Sequence, residues 1–380
     1  MPHSKQRYLF IDLLRFLAVV FMIQGHTFDA LLDFDLRSDT LFYAHDFFHG
    51  FIAPMFLFAS GVAFGISTFK KWEDHRVFSG HARRRYGKFA GLILIGYALH
   101  LPYFSLTKIL KEGTPVDFAV WLQVDALHCI AVTMLILQTA VLILKEEKRF
   151  FLFTASLSVV IILLSPIIWS IDLNGSLPLW LVSYINVGNN SWFPLFPWSA
   201  YILCGVVFAY IFLNAKEHHH AVILMQRTVT IGLLLMITSF IFLNIPFHLY
   251  PPHDVWKVNP LIILARLGFV MLATSGVFFA EHTYKIRSKI PQIMGRESLF
   301  IYIIHLIILY GSVMNKGLQQ IILPTLSVVQ SSVAFIIVFI ALSSFTYGWY
   351  QLKKQYPRSA LYVRVAVAAT FIILFLIRPY

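Results

Sequence analysis

"LLRFLAVVFMIQGH" (residues 13–26) is apolar except for an arginine near one end and a glutamine and a histidine at the other. Extended to about 8–29, the stretch reaches the roughly 20 apolar residues that a helix needs to cross the hydrocarbon core of a bilayer. The rest of the chain repeats this character. Of its 380 residues 58% are hydrophobic and 13% are charged, with a mean hydropathy of +0.74. A soluble domain carries about 25% charged residues, so a large soluble enzyme is excluded. The composition predicts an all-α, polytopic membrane protein built as one domain over 1–380.

Eleven segments have the length and composition of a span: about 8–29, 47–69, 89–106, 121–144, 150–170, 193–213, 228–247, 260–280, 290–313, 325–350 and 361–377. If the N-terminus is cytoplasmic, the inside segments hold 21 of the 30 Lys and Arg and the outside segments hold 6. That bias follows the positive-inside rule and predicts a cytoplasmic N-terminus and an external C-terminus. The net charge of +12 therefore has a topological cause, and nucleic acid is set aside as a partner in favour of the lipid bilayer. "MPHSKQR" at the start is basic, and the apolar run after it lacks a small-residue cleavage site, so a retained first span is expected. Cys129 and Cys204 fall inside spans and suggest no disulfide framework. The "HHH" at 218–220 lacks metal-ligand spacing, and no metal is expected. The stretches 171–198 and 247–260, rich in Asn, Pro and aromatic residues, are expected outside, where they either cap a cavity or anchor at the interface.

Ionisable groups at membrane depth are costly and tend to face a bundle interior or a watery path. Here they are Asp12, Arg15, His26, Asp125, His128, Arg266, Arg296, Glu297 and His305. Arg15 and His26 are eleven positions apart, about 1100° of helix and roughly 20° from three full turns, so they share one face about 16 Å apart along the axis. Asp12 is spaced to pair with Arg15, and Asp29 to orient His26. The plainer alternative is that Arg15 snorkels to the inner interface while His26 sits at the outer one. The second span opens "AHDFFHGFIAPMFLFASGVAFG" (44–65), with His45, Asp46 and His49 at its external mouth. Its Ser60, Gly61, Ala63 and Gly65 permit close helix contact. The basic loop that follows, 70–88, carries Arg83, Arg84, Arg85 and Lys88. It reads as an orientation signal, an anionic-lipid contact or a site for a phosphorylated ligand. Asp125 and His128 are placed to touch.

Four of these stretches together resemble the transmembrane acyltransferases, which include the acyltransferase type 3 and heparan-α-glucosaminide N-acetyltransferase families. "RFLAVVFMIQGH" (15–26) fits an Arg, ten residues, His opening. "PMFLFASGVAFG" (54–65) is similar to their second-helix signature, and "GRESLFIYIIH" (295–305) to a late Gly-Arg-x-Ser-Leu…Tyr…His stretch. "WFPLFPWSAYILCGVVFAY" (192–210) leans toward the heparan-acetyltransferase-like branch. In place of an Arg-x-x-Arg after the second helix, this chain has Arg85-x-x-Lys88. The resemblance implies an acyltransferase that takes an acyl group, commonly acetyl, from cytoplasmic acetyl-CoA to a carbohydrate or glycan acceptor outside, with CoA as co-substrate rather than bound cofactor. Arg15, Arg83, Arg84, Arg85 and Lys88 would meet the phosphates of CoA. His26 would be general base or acyl carrier, with Asp29 and His305 beside it and His45, Asp46 and His49 near the acceptor. A bacterial inner membrane is the expected location, and oligomerisation stays open. A second reading is a proton-coupled transporter using Asp125, His128, Glu297 and His305 as a relay. A third is a lipid flippase or a structural partner without chemistry of its own.

Overall fold

The computed structural model describes residues 8–245, 249–284 and 288–378. Lys5, Arg7, Lys285 and Arg287, counted for topology, lie outside the described residues, as do 247–248 of the second irregular stretch. Each of the eleven expected segments carries helix. In chain order these are α1 (Leu9–Leu31), α2 (Thr40–His49), α3 (Ile52–Phe69), α4 (Gly80–Leu99), α5 (Ala126–Leu144), α6 (Glu147–Ser170), α7 (Leu195–Glu217), α8 (Ala221–Leu243), α9 (Pro260–Tyr284), α10 (Lys289–Arg296), α11 (Ser298–Leu309), α12 (Val328–Gln355) and α13 (Pro357–Ile377). Helix is the expected form in lipid, because it satisfies every backbone donor and acceptor within the segment. Sheet among the described residues is one two-stranded hairpin, β1 (Gly311–Ser312) with β2 (Asn315–Lys316). The all-α polytopic reading therefore holds.

Among the described residues nine helices are long and apolar enough to span, taking Thr40–Phe69 as one. The two remaining segments differ for physical reasons. The segment 290–313 is broken, with α10 and α11 meeting at 78°. The segment 89–106 is carried by α4, whose first half holds Arg83, Arg84, Arg85 and Lys88. Those four cations keep that half out of hydrocarbon.

The chain divides into two compact units. The first comprises Met1–Ala53, Leu101–Phe118 and Tyr284–Tyr380. Within it α10 lies on α1 so closely that a Cβ at Gly295 would overlap the backbone of Asp12. Arg296 Nε donates to Asp12 Oδ2 at 3.2 Å beside that contact. Lys353 of α12 forms an ion pair with Glu297 at the bend, and Phe300 stacks on Trp349 at 5.7 Å. The last carbonyls of α1 have defined partners. Arg37 Nη2 donates to the carbonyls of Asp29 (2.8 Å) and Leu32 (2.9 Å), a cation at a helix C-terminus. Just beyond, Leu326 N donates to Leu31 O and Asp33 N to Leu326 O, tying the end of α1 to the segment before α12.

The second unit comprises Pro54–His100 and Ala119–Thr283. The small-residue run of α3 is used as expected. A Cβ on Gly61 would overlap the Ile202 carbonyl of α7, and one on Gly205 of α7 would overlap the Phe58 carbonyl. Such backbone-to-backbone approach is the way helices gain packing where lipid removes the hydrophobic drive between them. The irregular stretch 171–198 is held by buried amides. Asn186 Nδ2 donates to the carbonyls of Ile168 and Ile171, both at 3.1 Å, and so satisfies the end of α6. Asn189 Nδ2 donates to the Ala119 carbonyl and to Ser183 Oγ, both at 2.8 Å.

Candidate functional site

The C-terminal half of α1, helix α2 and the end of α11 bring four titratable side chains of the first unit together. Because α1 is unbroken from Leu9 to Leu31, His26 stands on the same helix face as Arg15, about 16 Å along the axis. The His26 ring lies 5.2 Å from His305, 5.8 Å from His49 and 5.7 Å from Tyr310, centroid to centroid. His45 stacks on His49 at 6.0 Å. Thus His26, His45, His49 and His305, singled out in the sequence, form one cluster.

Hydrogen bonds fix the rings. His305 Nδ1 lies 2.9 Å from the Ile301 carbonyl, which can only accept, so the proton sits on Nδ1. Its Nε2 is buried without a hydrogen-bond partner and carries the lone pair. His26 Nδ1 is 3.0 Å from Tyr310 Oη, and the same hydroxyl is 3.4 Å from the His26 carbonyl. When the carbonyl takes the hydroxyl hydrogen, the phenol oxygen accepts from Nδ1–H and the unprotonated nitrogen of His26 is Nε2, for which no hydrogen bond is formed among the described residues. Both amide atoms of Gln24 reach His45 Nε2, the nitrogen at 2.9 Å and the oxygen at 3.1 Å. His49 lies across Gly25, where any Cβ would overlap its ring.

Asp29 is placed otherwise than its spacing suggests. Its electrostatic neighbours are Asp46, Arg37, His45 and Tyr310, and it is Tyr310 that stands on His26 Nδ1. Asp46 is exposed and His45 and His49 are half-buried on α2, which Asp39 caps by accepting from Leu41 N. Tyr310, Gln24, Gly25 and Arg37 are residues of this site that sequence reasoning passed over. Gln24 and Gly25 were visible as the polar end of the opening stretch. Nothing local marks Tyr310, whose partner is 284 positions away.

The cationic candidates separate into kinds. In the second unit Ser79 caps α4, accepting from the backbone of His81 and Ala82. Arg83, Arg84 and Lys88 on that helix are exposed. Arg85 turns inward. Its Nη1 donates to Thr68 Oγ1 (2.9 Å) and Gln138 Oε1 (3.0 Å), and its Nη2 to Ser67 Oγ (2.8 Å). Its guanidinium also rests 4.9 Å over the Phe64 ring. All three of these oxygens are neutral, so the cation is held in place without its charge being cancelled by them. Gln138 continues the network by donating to the His75 carbonyl at 3.1 Å. His75 is buried, and desolvation with the Arg85 charge beside it lowers its pKa to about 4.

The four residues of the relay alternative lie in different units. Asp125 and His128 are at the start of α5 in the second, Glu297 and His305 in the first. Asp125 Oδ1 accepts from His128 Nδ1 at 2.8 Å and from the His128 backbone at 3.0 Å, which is a helix cap. Glu297 pairs with Lys353. Among the described residues no group of three or more His, Cys, Asp or Glu is arranged to hold a metal ion.

Residues 7–240 match the family model described as heparan-alpha-glucosaminide N-acetyltransferase, catalytic. No curated protein sequence and no solved structure gives a significant match.

Proposed function

The chain belongs to this acetyltransferase family, and on that premise we propose that it moves an acetyl group from acetyl-CoA to the amine or hydroxyl of a carbohydrate, with His26 as the base. The observation that carries the reading is the convergence of His26, His49 and His305 around one end of α1, with Tyr310 holding Nδ1 of His26. His26 Nε2 takes the proton from the acceptor as its nitrogen or oxygen attacks the thioester carbonyl. The carbon–sulfur bond breaks, and the imidazolium returns the proton to the CoA thiolate. If the acceptor binds after the donor has left, the same Nε2 attacks first and carries the acetyl group itself. His49 and His45 with Asp46 supply polar contacts to the acceptor, and His305 bounds the reacting space. The proposed topology is an internal N-terminus and an external C-terminus in a bacterial inner membrane, with the histidines on the external side.

Phosphates of CoA need cations: Arg15, on the helix of His26, is the candidate of the first unit, and Arg85 on α4, taken by itself, is that of the second. Arg85 is the favoured member of its run because its side chain is already immobilised by neutral oxygens, so less entropy is lost on binding. The exposed Arg83, Arg84 and Lys88 add attraction at longer range. Calorimetry on the protein in detergent tests each cation alone. Arg15→Ala and Arg85→Ala are each expected to weaken acetyl-CoA binding about tenfold or more, the worth of one charge-assisted contact. His26→Ala is expected to retain binding and to lose transfer of labelled acetyl by about 10²–10⁴-fold. A folded protein that binds neither acetyl-CoA nor longer acyl-CoAs would sink the reading.

A further inference from the structure

Arg266 sits early in α9 and has no part in the reaction above. It is 9% exposed, and its Nη1 has no hydrogen-bond partner among the described residues. Two more polar groups in the same state lie beside it on α7. Trp198 is 9% exposed and Tyr201 1%, and neither the indole Nε1 nor the phenol Oη has a hydrogen-bond partner among the described residues. The two rings are 6.1 Å apart. The Arg266 guanidinium carbon is 6.0 Å from the Trp198 ring, and its charge acts on the Tyr201 hydroxyl. All three belong to the second unit.

A buried cation in a spanning helix requires a compensating negative group. A guanidinium and an indole N–H can only donate, and a phenol can donate as well. With the phenol oxygen facing the guanidinium, the hydroxyl hydrogen, the indole N–H and Arg266 Nη1 are left to be satisfied, and together they match a ligand that is negative and accepts. An oxyanion has that chemistry, and arginine recognises it with paired donors. A guanidinium, an indole and a phenol, all nearly buried, match one such group rather than a whole sugar. We infer that Arg266, Trp198 and Tyr201 form a binding site within the second unit for a single oxyanion, a phosphate or carboxylate. The group arrives either as a dissolved anion or as the headgroup phosphate of a lipid.

The test uses the full chain in maltoside detergent, delipidated, with its Tm read at constant ionic strength. In one arm inorganic phosphate replaces chloride, and in the other phosphatidylglycerol is added back. One arm is expected to raise Tm by about 2–5 °C near saturation. A rise with inorganic phosphate identifies a dissolved anion, and a rise with the lipid alone identifies a headgroup. Arg266→Gln is expected to abolish the rise. Should that variant fail to fold, Tyr201→Phe keeps the ring and removes one donor, and is expected to reduce the rise by at least half. No rise in either arm overturns the site, as does an equal rise in wild type and Tyr201→Phe. In the overturned case the hydroxyl is merely unsatisfied, and Tyr201→Phe raises Tm with no anion present.

Discussion

Two Asp–His pairs in this chain have the same spacing and opposite fates. Asp125 precedes His128 by three positions at the first turn of α5, and its carboxylate clasps both the backbone and the ring of the histidine. Asp29 follows His26 by three positions in the last turn of α1, and its neighbours are Asp46, Arg37, His45 and Tyr310, with no hydrogen bond to the His26 ring among the described residues. A carboxylate at a helix N-terminus faces free N–H groups and a favourable dipole, so it turns back onto its own helix. A carboxylate at a C-terminus faces free carbonyls, so it turns away, and here a cation, Arg37, occupies the carbonyls. Spacing brings a pair within reach, and the end of the helix decides whether it closes. The histidine left without its aspartate is the one held by a long-range hydroxyl, at Tyr310.

That contrast can be broken or sharpened by four measurements. The largest effect is expected at Tyr310. Tyr310→Phe frees Nδ1 of His26 and lets the other tautomer form, so kcat should fall about 10–100-fold with KM for acetyl-CoA little changed. A rate within twofold of wild type would remove Tyr310 from the site. Next comes Asp125→Ala, which deletes a cap and should cost about 1–2 kcal/mol, read as a drop in Tm, while purified folded protein keeps its kcat. If instead kcat collapses at unchanged Tm, the second pair is chemical and the contrast fails. Asp29→Asn should leave Tm unaltered and change kcat by less than about tenfold, since the Arg37 side chain binds backbone carbonyls rather than the carboxylate.

The smallest effect is expected from His75, outside the spans. Its folded pKa of about 4 is below the ordinary 6.5. Between those values the unfolded chain binds the proton and the folded one resists it, so this residue's contribution is complete above pH 6.5 and is lost as pH falls toward 4. His75→Asn should therefore lose less Tm than wild type between pH 7 and 4.5. Parallel loss in both proteins would show that other groups govern acid sensitivity.

The fold was largely legible in the sequence because lipid imposes one rule on every segment: enough apolar length and an internally paired backbone. All eleven segments became helix. The exceptions were written in the same residues. The four cations of α4 mark a helix that starts outside the hydrocarbon, while Glu297, at the break between α10 and α11, finds Lys353 56 positions away. Within the site, His26 and His305 were legible as ionisable groups in apolar surroundings, and His45 and His49 as histidines at the external mouth of the second span. Tyr310 was not, because an aromatic at a helix end reads equally as an interfacial anchor. Choosing Arg85 from its run also lay beyond the sequence. Three adjacent arginines look alike until Ser67, Thr68 and Gln138, from two other helices, receive one of them.

The bend at Glu297 bears on the membrane itself. Helix α11 has twelve residues, about 18 Å of length, against a hydrocarbon core of about 30 Å. With α10 turned aside by 78°, α11 alone is too short to bridge that core, and the segment is a broken span or a re-entrant one packed against α1 and α12. Where lipid reaches the ends of α11, shorter acyl chains are expected to ease the fit at His305 and longer ones to strain it, which acetyl transfer in bilayers of graded thickness would read out.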